Sequence, residues 1–494
     1  MQPPRASSSL LPANRDYVVL YLNGQRHHVY DSDVCLTLAD WLRLRQGLVG
    51  TKIVCNEGDC GACSVLLGRL PANESRHEDE TLVCDSLTYR AIDSCIAFLF
   101  QLDGTHVVTV EGLRSDGMLS PVQDAMVKCH GSQCGFCTPG FVTTLHGLIE
   151  SEASFNDESL RYGLSGNLCR CTGYLQILDA GKSIDPQRVA KIAELYPNNE
   201  IARQMGELSR TDVCVNVADH KIYLPRTLEQ ALAFRAAYPE AAIVSGATDY
   251  GVLHNHGRTL ASDILCLTHL TDLREITVHD DVLTIGALAS WTEVESSVQG
   301  LIPEYYEILT RFGSPQIRQM GTIGGNLASG SPIADSVPLH MALDAEIELA
   351  SENAIRRVPM KDFYQGYRKT ALRQDELITR IHTPLPKADE RLKLYKISKR
   401  RDMDISTLTF ALWVKLKNDL IQDARVVLGG VGPTVLRASQ TEASLRGSRW
   451  CESTFVNAGT IVRSEITPWT DVRGSADYRA ALTENLLMKS FLEL

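Results

Sequence analysis

Cys55-Asn56-Glu57-Gly58-Asp59-Cys60-Gly61-Ala62-Cys63 sets three cysteines at the spacing C-x4-C-x2-C. With Cys84 further along the chain, this is the ligand pattern with which plant-type ferredoxins hold a [2Fe-2S] centre. An oxidised four-thiolate centre carries a charge of about −2, so its loop has to aim backbone N–H groups at the sulfurs without covering them. Gly58 and Gly61 let the chain wrap tightly enough to do so. A zinc ion also accepts four cysteines, but zinc sites usually pair two short hooks, whereas three ligands here come from one loop.

A second group lies downstream. Cys134 and Cys137 stand in Gln133-Cys-Gly-Phe-Cys-Thr-Pro-Gly140, and Cys169 and Cys171 in Gly166-Asn-Leu-Cys-Arg-Cys-Thr-Gly-Tyr174. Spacing is ambiguous here, because Cys129, Cys134 and Cys137 repeat C-x4-C-x2-C and make Cys129 a competitor. Choosing Cys134, Cys137, Cys169 and Cys171 gives two short hooks, an arrangement that suits zinc as well as iron. Cys35, Cys95, Cys129, Cys214, Cys266 and Cys451 have no partner spacing and read as free buried thiols.

The formal charge of −11 and the lack of a basic stretch argue against a nucleic-acid binder. No apolar run approaches about 20 residues and no signal peptide is visible, so the reading is a soluble, cytoplasmic protein without a membrane segment. In a reducing compartment, fourteen cysteines point to metal ligation before disulfides.

The length of 494 residues implies roughly three or four domains, and the pattern predicts a multidomain α+β chain. Residues 1–15 read as a flexible N-terminal segment. Residues 16–112 predict a small mixed sheet: a hairpin through Asn23-Gly24, a helix capped by Thr37, the cysteine loop and a second hairpin at Asp103-Gly104. Residues 113–182 turn helical, with Phe141, Leu145 and Leu148 on one face. Residues 183–213 form a linker with one or two helices. Residues 214–387 alternate short strands with helices and carry two glycine turns, Val244-Ser245-Gly246-Ala247-Thr248-Asp249 and Gly321-Thr322-Ile323-Gly324-Gly325-Asn326. This is an α+β nucleotide binder without G-x-G-x-x-G, hence not a Rossmann domain. Residues 388–494 predict a three-stranded sheet backed by helices.

The three cysteine motifs together resemble the molybdenum hydroxylases. Gly321 to Asp335 and Gly366-Tyr-Arg-Lys-Thr370 resemble the flavin domain of the xanthine dehydrogenase branch of that family. The resemblance implies a ferredoxin-like β-grasp [2Fe-2S] domain with ligands Cys55, Cys60, Cys63 and Cys84, and a helical [2Fe-2S] domain with ligands Cys134, Cys137, Cys169 and Cys171, leaving Cys129 a bystander. It also implies an FAD domain of the vanillyl-alcohol-oxidase/PCMH type and a C-terminal flavoprotein domain. Ser245, Gly246, Ala247, Thr248, Asp249 and Tyr250 would line one side of the FAD, and Thr322, Gly324, Gly325, Asn326 and Asp335 the other. Phe312 would lie over the isoalloxazine, Ile378 would touch it, and Lys396 would offer charge to its polar edge. Lys399 to Asp404 resembles a loop near the ring, and Tyr367 and Arg368 are candidates for the nicotinamide side.

No molybdopterin domain is recognisable, so the resemblance implies a small subunit whose molybdopterin sits on a large partner, two copies of each forming a heterotetramer. Electrons from xanthine or hypoxanthine oxidation would pass through two [2Fe-2S] clusters to FAD and then NAD. The alternatives are the matching subunit of an aldehyde, carbon monoxide or nicotinate enzyme, and a zinc-bound scaffold without redox activity.

Overall fold

The structure is a computed structural model and describes residues 15–71, 87–114, 117–151, 156–258 and 263–494. The chain divides into two compact units, the first running to Thr271 and also taking in Ser314–Gly321, the second formed by Asp272–Gly313 and Thr322–Leu494.

In the first unit, β1 (Val18–Leu22) and β2 (Gln25–Val29) form the predicted hairpin. Asn23 and Gly24 are both left-handed, φ 48° and 81°, the turn whose twist matches the strands it joins. α1 (Leu38–Leu44) begins at Thr37, whose side-chain oxygen accepts from the Asp40 N–H, and buries Leu38, Trp41 and Leu42. The cysteine loop follows, then β3 (Ser64–Arg69), β4 (Thr88–Asp93) and β5 (Thr105–Val108). These complete a five-stranded sheet in the order β2-β1-β5-β3-β4, with β1 and β5 parallel.

Four helices come next: α2 (Pro121–Lys128), α3 (Thr138–Ser151), α4 (Asp157–Gly163) and α5 (Leu175–Ser183). α2 opens with Pro121 and a Ser120/Gln123 capping box, both start signals. Phe141, Leu145 and Ile149 of α3 share a core with Leu160 and Ile177, Leu148 being only partly buried there. The linker holds α6 (Ile192–Leu195) and α7 (Asn198–Leu208). β6 (Val213–Val217), β7 (His220–Leu224), α8 (Leu228–Ala237), β8 (Ala242–Val244), α9 (Tyr250–Asn255) and β9 (Ile264–Cys266) build a second sheet, ordered β6-β7-β9-β8. One buried carboxylate joins the two sheets. Asp103, before β5, takes a two-pronged bond from Arg15 at 2.7 and 2.8 Å and a third from Arg226 at 3.1 Å.

The second unit starts with β10 (Ile276–His279), β11 (Val282–Gly286), α10 (Trp291–Val298) and α11 (Pro303–Leu309). The chain then contributes α12 (Pro315–Met320) to the first unit and resumes with α13 (Ile323–Ala328), α14 (Val337–Ala342), β12 (Glu346–Ala350), β13 (Ile355–Pro359), α15 (Met360–Phe363), β14 (Tyr364–Gly366), β15 (Lys369–Thr370) and β16 (Leu377–Pro384). Its five-stranded sheet runs β10-β11-β16-β12-β13. β17 (Glu390–Ile397), β18 (Leu408–Lys417) and β19 (Leu420–Gly429) form the predicted meander, and a two-residue β20 (Leu436–Arg437) adds a fourth strand where the chain returns from the Gly429–Gly432 turn. β18 is apolar on both faces because both are covered: Leu408, Phe410, Leu412 and Val414 pack in one core with Phe455 and Leu487, and Ala411 and Trp413 in another with Trp291. α16 (Ser439–Leu445), α17 (Glu452–Glu465) and α18 (Ala476–Glu493) close the chain. Among the described residues no helix is long and apolar enough to cross a membrane.

Candidate functional site

The Cys55–Cys63 stretch, which lies between α1 and β3, is coiled by three left-handed residues, Asn56, Gly58 and Gly61. The coil brings the Glu57 and Asp59 N–H groups to the Cys55 sulfur, each at 3.4 Å. Cys60 and Cys63 are buried beside it. The fourth sulfur of this group is Cys95, 1% exposed in the turn after β4. The Cys55 thiol is hydrogen-bonded to Cys60 and to Cys95, and Cys63 is bonded to Cys95. Cys84, the expected fourth ligand, lies outside the described residues, and Cys95, read from sequence as a bystander, stands against the predicted three. The bond with Cys60, then that with Cys95, holds Cys55 well below the usual thiol range. Burial first, and the Cys63 sulfur 3.5 Å away second, push the Asp93 carboxyl well above its usual range.

The second group assembles from two loops, each ending at a helix. Cys134 and Cys137 precede α3, with Gly135 left-handed; Cys169 and Cys171 precede α5, with Gly173 and Tyr174 left-handed. Cys137 pairs with Cys169, and Cys134 with Cys171. Burial, then the bond to Cys169, pushes the Cys137 thiol up to about 12. Cys134 and Cys171 are exposed. Cys129 caps the end of α2, with its sulfur 3.7 Å from Ser183 Oγ.

Among the described residues no three His, Cys, Asp or Glu side chains are arranged around a single ion. The thiols instead form two sets of four, the first with N–H groups on its sulfur, a donor set that fits a thiolate-bound iron-sulfur centre. The two sets abut. The Leu168 N–H donates to the Cys60 carbonyl at 2.9 Å, and Asn167 Nδ2 donates to the Gly61 carbonyl at 3.1 Å. A Cβ on Gly61 would lie 2.4 Å from the Gly166 oxygen, and one on Gly140 2.1 Å from the Gly61 oxygen, so the contact exists only because these positions are glycine.

The first glycine turn leads from β8 into α9. Gln101 Nε2 donates to the Ser245 carbonyl at 2.8 Å. A Cβ on Gly246 would meet the Met320 oxygen at 1.9 Å, so this glycine answers a packing demand whatever else it does. Ala247 is left-handed, φ 55°, and buried; Thr248 is half-buried and Asp249 exposed. Tyr250 packs on Phe98, ring centroids 5.7 Å apart. At the end of α9, Asn255 Nδ2 donates to the Asn56 and Cys95 carbonyls, both at 2.9 Å, and His256 Nε2 lies 2.6 Å from Glu57 Oε1. The helix that continues the turn is thereby fastened to both segments of the first thiol set. Neither Asn255 nor Cys95 stood out in the sequence, where no spacing rule reaches them.

The second turn uses its own N–H groups. Ile323 and Gly324 donate to the Ala289 and Ala287 carbonyls at 3.2 and 2.8 Å, Gly325 to Thr322 Oγ1 at 3.2 Å, and Asn326 to the Thr322 carbonyl at 3.1 Å. These four N–H groups are therefore satisfied at the start of α13 and by the carbonyls that follow β11. Asn326 Oδ1 accepts from Ser336. Lys396, expected to offer charge to the flavin's polar edge, is buried against Asp335, Nζ to Oδ2 2.5 Å, with Ser406 bridging both at 2.8 and 2.6 Å. Phe312 stands edge-on to Trp291, centroids 4.8 Å apart. Ile378 is buried on β16 opposite Leu349, beside a bulge in β12. Tyr367, half exposed at the tip of the β14–β15 hairpin, pairs with Trp469 at 5.7 Å, and Arg368 is left-handed, φ 53°. In the charged loop Arg400 closes onto Asp404 at 2.6 Å.

Residues 216–386 match the FAD binding domain in molybdopterin dehydrogenase, residues 393–494 the CO dehydrogenase flavoprotein C-terminal domain, and residues 109–182 a [2Fe-2S] binding domain. Xanthine dehydrogenase of Oryza sativa is 30% identical over 96% of this chain, and that of Emericella nidulans 31% over 97%. This chain spans 39% of the length of each. Carbon monoxide dehydrogenase from Hydrogenophaga pseudoflava superposes with a TM-score of 0.52 at 26% identity, covering 54% of this chain and 94% of that one. Quinoline 2-oxidoreductase from Pseudomonas putida 86 shares the fold at 24% identity and the same TM-score, over 56% of this chain and 96% of that one. The chain thus carries, in order, matches to a [2Fe-2S] binding domain, to the FAD binding domain in molybdopterin dehydrogenase and to the CO dehydrogenase flavoprotein C-terminal domain.

Proposed function

We propose that this chain is the electron-transfer subunit of a bacterial-type xanthine dehydrogenase. Cys55, Cys60, Cys63 and Cys95 would hold one [2Fe-2S] centre, and Cys134, Cys137, Cys169 and Cys171 the other. Iron-sulfur centres pass single electrons and a flavin can release two as hydride, so together they join a two-electron oxidation to a two-electron reduction. The observation that carries the reading is continuity within the first unit: Leu168 bonds to Cys60, and Asn255 bonds to the Cys95 carbonyl from the helix that continues the first glycine turn. The residues of that turn, Ser245 to Tyr250, are assigned to the FAD, with Gly246, Ala247 and Thr248 facing its pyrophosphate. Thr322, Gly324, Gly325, Asn326, Asp335, Ile378, Lys396 and Phe312 complete the assignment. Tyr367 and Arg368 are assigned to NAD.

The molybdopterin site is assigned to a large partner polypeptide, with two copies of each chain in a cytoplasmic heterotetramer. A partner is supported by the surface around the second thiol set: the exposed Cys134 and Cys171 lie beside exposed Phe136, Leu168, Tyr174 and Leu175, an apolar surface suited to a protein. The likeness to carbon monoxide dehydrogenase supports a second reading, the equivalent subunit of a hydroxylase with another substrate. Iron, labile sulfide, zinc and flavin analysis, followed by turnover, tests both. The purified chain should hold about four irons per FAD, oxidise NADH with a dye, and leave xanthine untouched until the partner is added. Zinc in place of iron, or xanthine hydroxylation by the chain alone, would overturn the assignment.

A further inference from the structure

α12 carries side chains to both thiol sets at once. Ile317 packs with Cys63, Cys95 and Ile96, and a Cβ on Gly58 would lie 2.8 Å from its Cδ1. Gln316, 1% exposed, reaches the junction between the two cysteine loops. Its Nε2 donates to Asn167 Oδ1 at 3.0 Å and lies 3.3 Å from Ser64 Oγ and 3.4 Å from Thr144 Oγ1. Ser64 follows Cys63 in the chain, Asn167 stands two residues before Cys169, and Thr144 sits on the helix that begins after Cys137. Asn167 passes the contact on to the Gly61 carbonyl. One carboxamide therefore touches the strand leaving the first set's loop on one side and, on the other, one loop of the second set and the helix that follows the other.

Stability alone does not account for an amide here. Gln316 Oε1 is buried with no hydrogen-bond partner, which costs free energy that a methionine of similar shape would avoid. A Cβ on Gly166 would fall 2.0 Å from that oxygen, so the opposing loop is trimmed to fit around it. We propose that Gln316 is a positioning residue for electron transfer between the two centres, fixing the separation of the Cys60 and Cys169 loops. The inference rests on reading both thiol sets as [2Fe-2S] ligands. Tunnelling falls exponentially with the gap, so a brace that prevents small loop displacements sets the rate.

The test uses the chain loaded with iron and FAD, comparing wild type with Q316M and R318M. Arg318 anchors the same helix elsewhere, to Tyr162 Oη at 2.6 Å. Two readouts are taken: the spin-spin splitting between the two reduced iron-sulfur signals, and the transfer rate between them after pulsed reduction. Q316M should weaken the splitting and slow transfer about tenfold, as a small displacement of reacting groups does, while R318M keeps both. If Q316M does not retain both centres, Q316N carries the test, since its amide is withdrawn by one methylene and must also slow transfer. Unchanged splitting and rate in whichever variant holds both centres overturns the brace alone. A wild-type chain without two [2Fe-2S] signals sinks the ligand assignment and the brace with it.

Discussion

The Leu168 N–H donates to the Cys60 carbonyl at 2.9 Å, and this one bond joins a residue adjacent to Cys169 with a residue of the other thiol set. Neither sequence motif anticipates it. The first motif is separated from Cys169 by more than a hundred residues, yet two glycines, Gly61 and Gly140, clear the space in which the backbones of the two sets meet.

The cysteine exchange at the first set is directly testable. Cys95→Ser should remove one iron-sulfur signal and about half of the iron, because a hydroxyl is a poor substitute for a thiolate ligand. Cys84→Ser should leave both signals in place. The iron-to-flavin ratio and the low-temperature spin resonance spectrum read the outcome; the reverse pattern would restore Cys84 as the ligand. At the second set, Cys171→Ser should lose its centre and Cys129→Ser should not.

Asn255 clamps α9 to the loop of Cys55 and the turn of Cys95. Asn255→Leu removes two hydrogen bonds to carbonyls, a loss of about 1–3 kcal/mol in unfolding free energy. Electron transfer between flavin and iron should slow more than flavin reduction by NADH, because the clamp lies between the proposed centres and not at the nicotinamide. Stopped-flow traces at flavin and iron-sulfur wavelengths separate the two steps, and equal slowing of both would assign Asn255 a purely structural part.

Lys396 and Asp335 are both almost fully buried. Lys396→Met leaves a carboxylate without its cation in a dry site, which costs about 3–5 kcal/mol. D335N/K396M, which removes both charges, should recover most of that loss. Flavin retention during gel filtration and thermal unfolding check the pair; a double variant as weak as the single one would mean that the two residues do not act on each other.

What the sequence disclosed divides along a physical line. Local rules worked where neighbours in the chain decide the outcome: the Asn23-Gly24 hairpin, the Thr37 cap and the coiling of the Cys55 loop all follow from residue type and spacing. They are silent where distant segments decide. Cys95 joins its set because β4 ends beside the loop, and the pairing of Lys396 with Asp335 spans 61 residues. The second glycine turn shows that glycine marks close approach as readily as ligand binding: a Cβ on Gly324 would lie 2.7 Å from the Ala287 carbonyl oxygen.

Acid should weaken the fold through its buried histidines. Burial holds His106 and His340 at about 4; burial, then Lys191, holds His146 at about 4; burial, then Arg226, holds His269 at about 3. Unfolded, each titrates at the ordinary 6.5. Between these values the unfolded chain binds protons that the folded chain refuses, so stability is intact above 6.5 and is lost as pH falls towards the folded values. Each such histidine contributes a slope of up to about 1.4 kcal/mol per pH unit. His146 isolates the effect, because neither of its ring nitrogens has a partner. His146→Leu should raise stability by about 1–3 kcal/mol at neutral pH, and the margin over wild type should widen as the buffer is taken to about pH 5. Urea unfolding of both proteins in matched buffers measures the margin and cancels any acid loss of iron common to the two. A margin that stays constant or narrows on acidification would show that His146 is protonated in the folded chain.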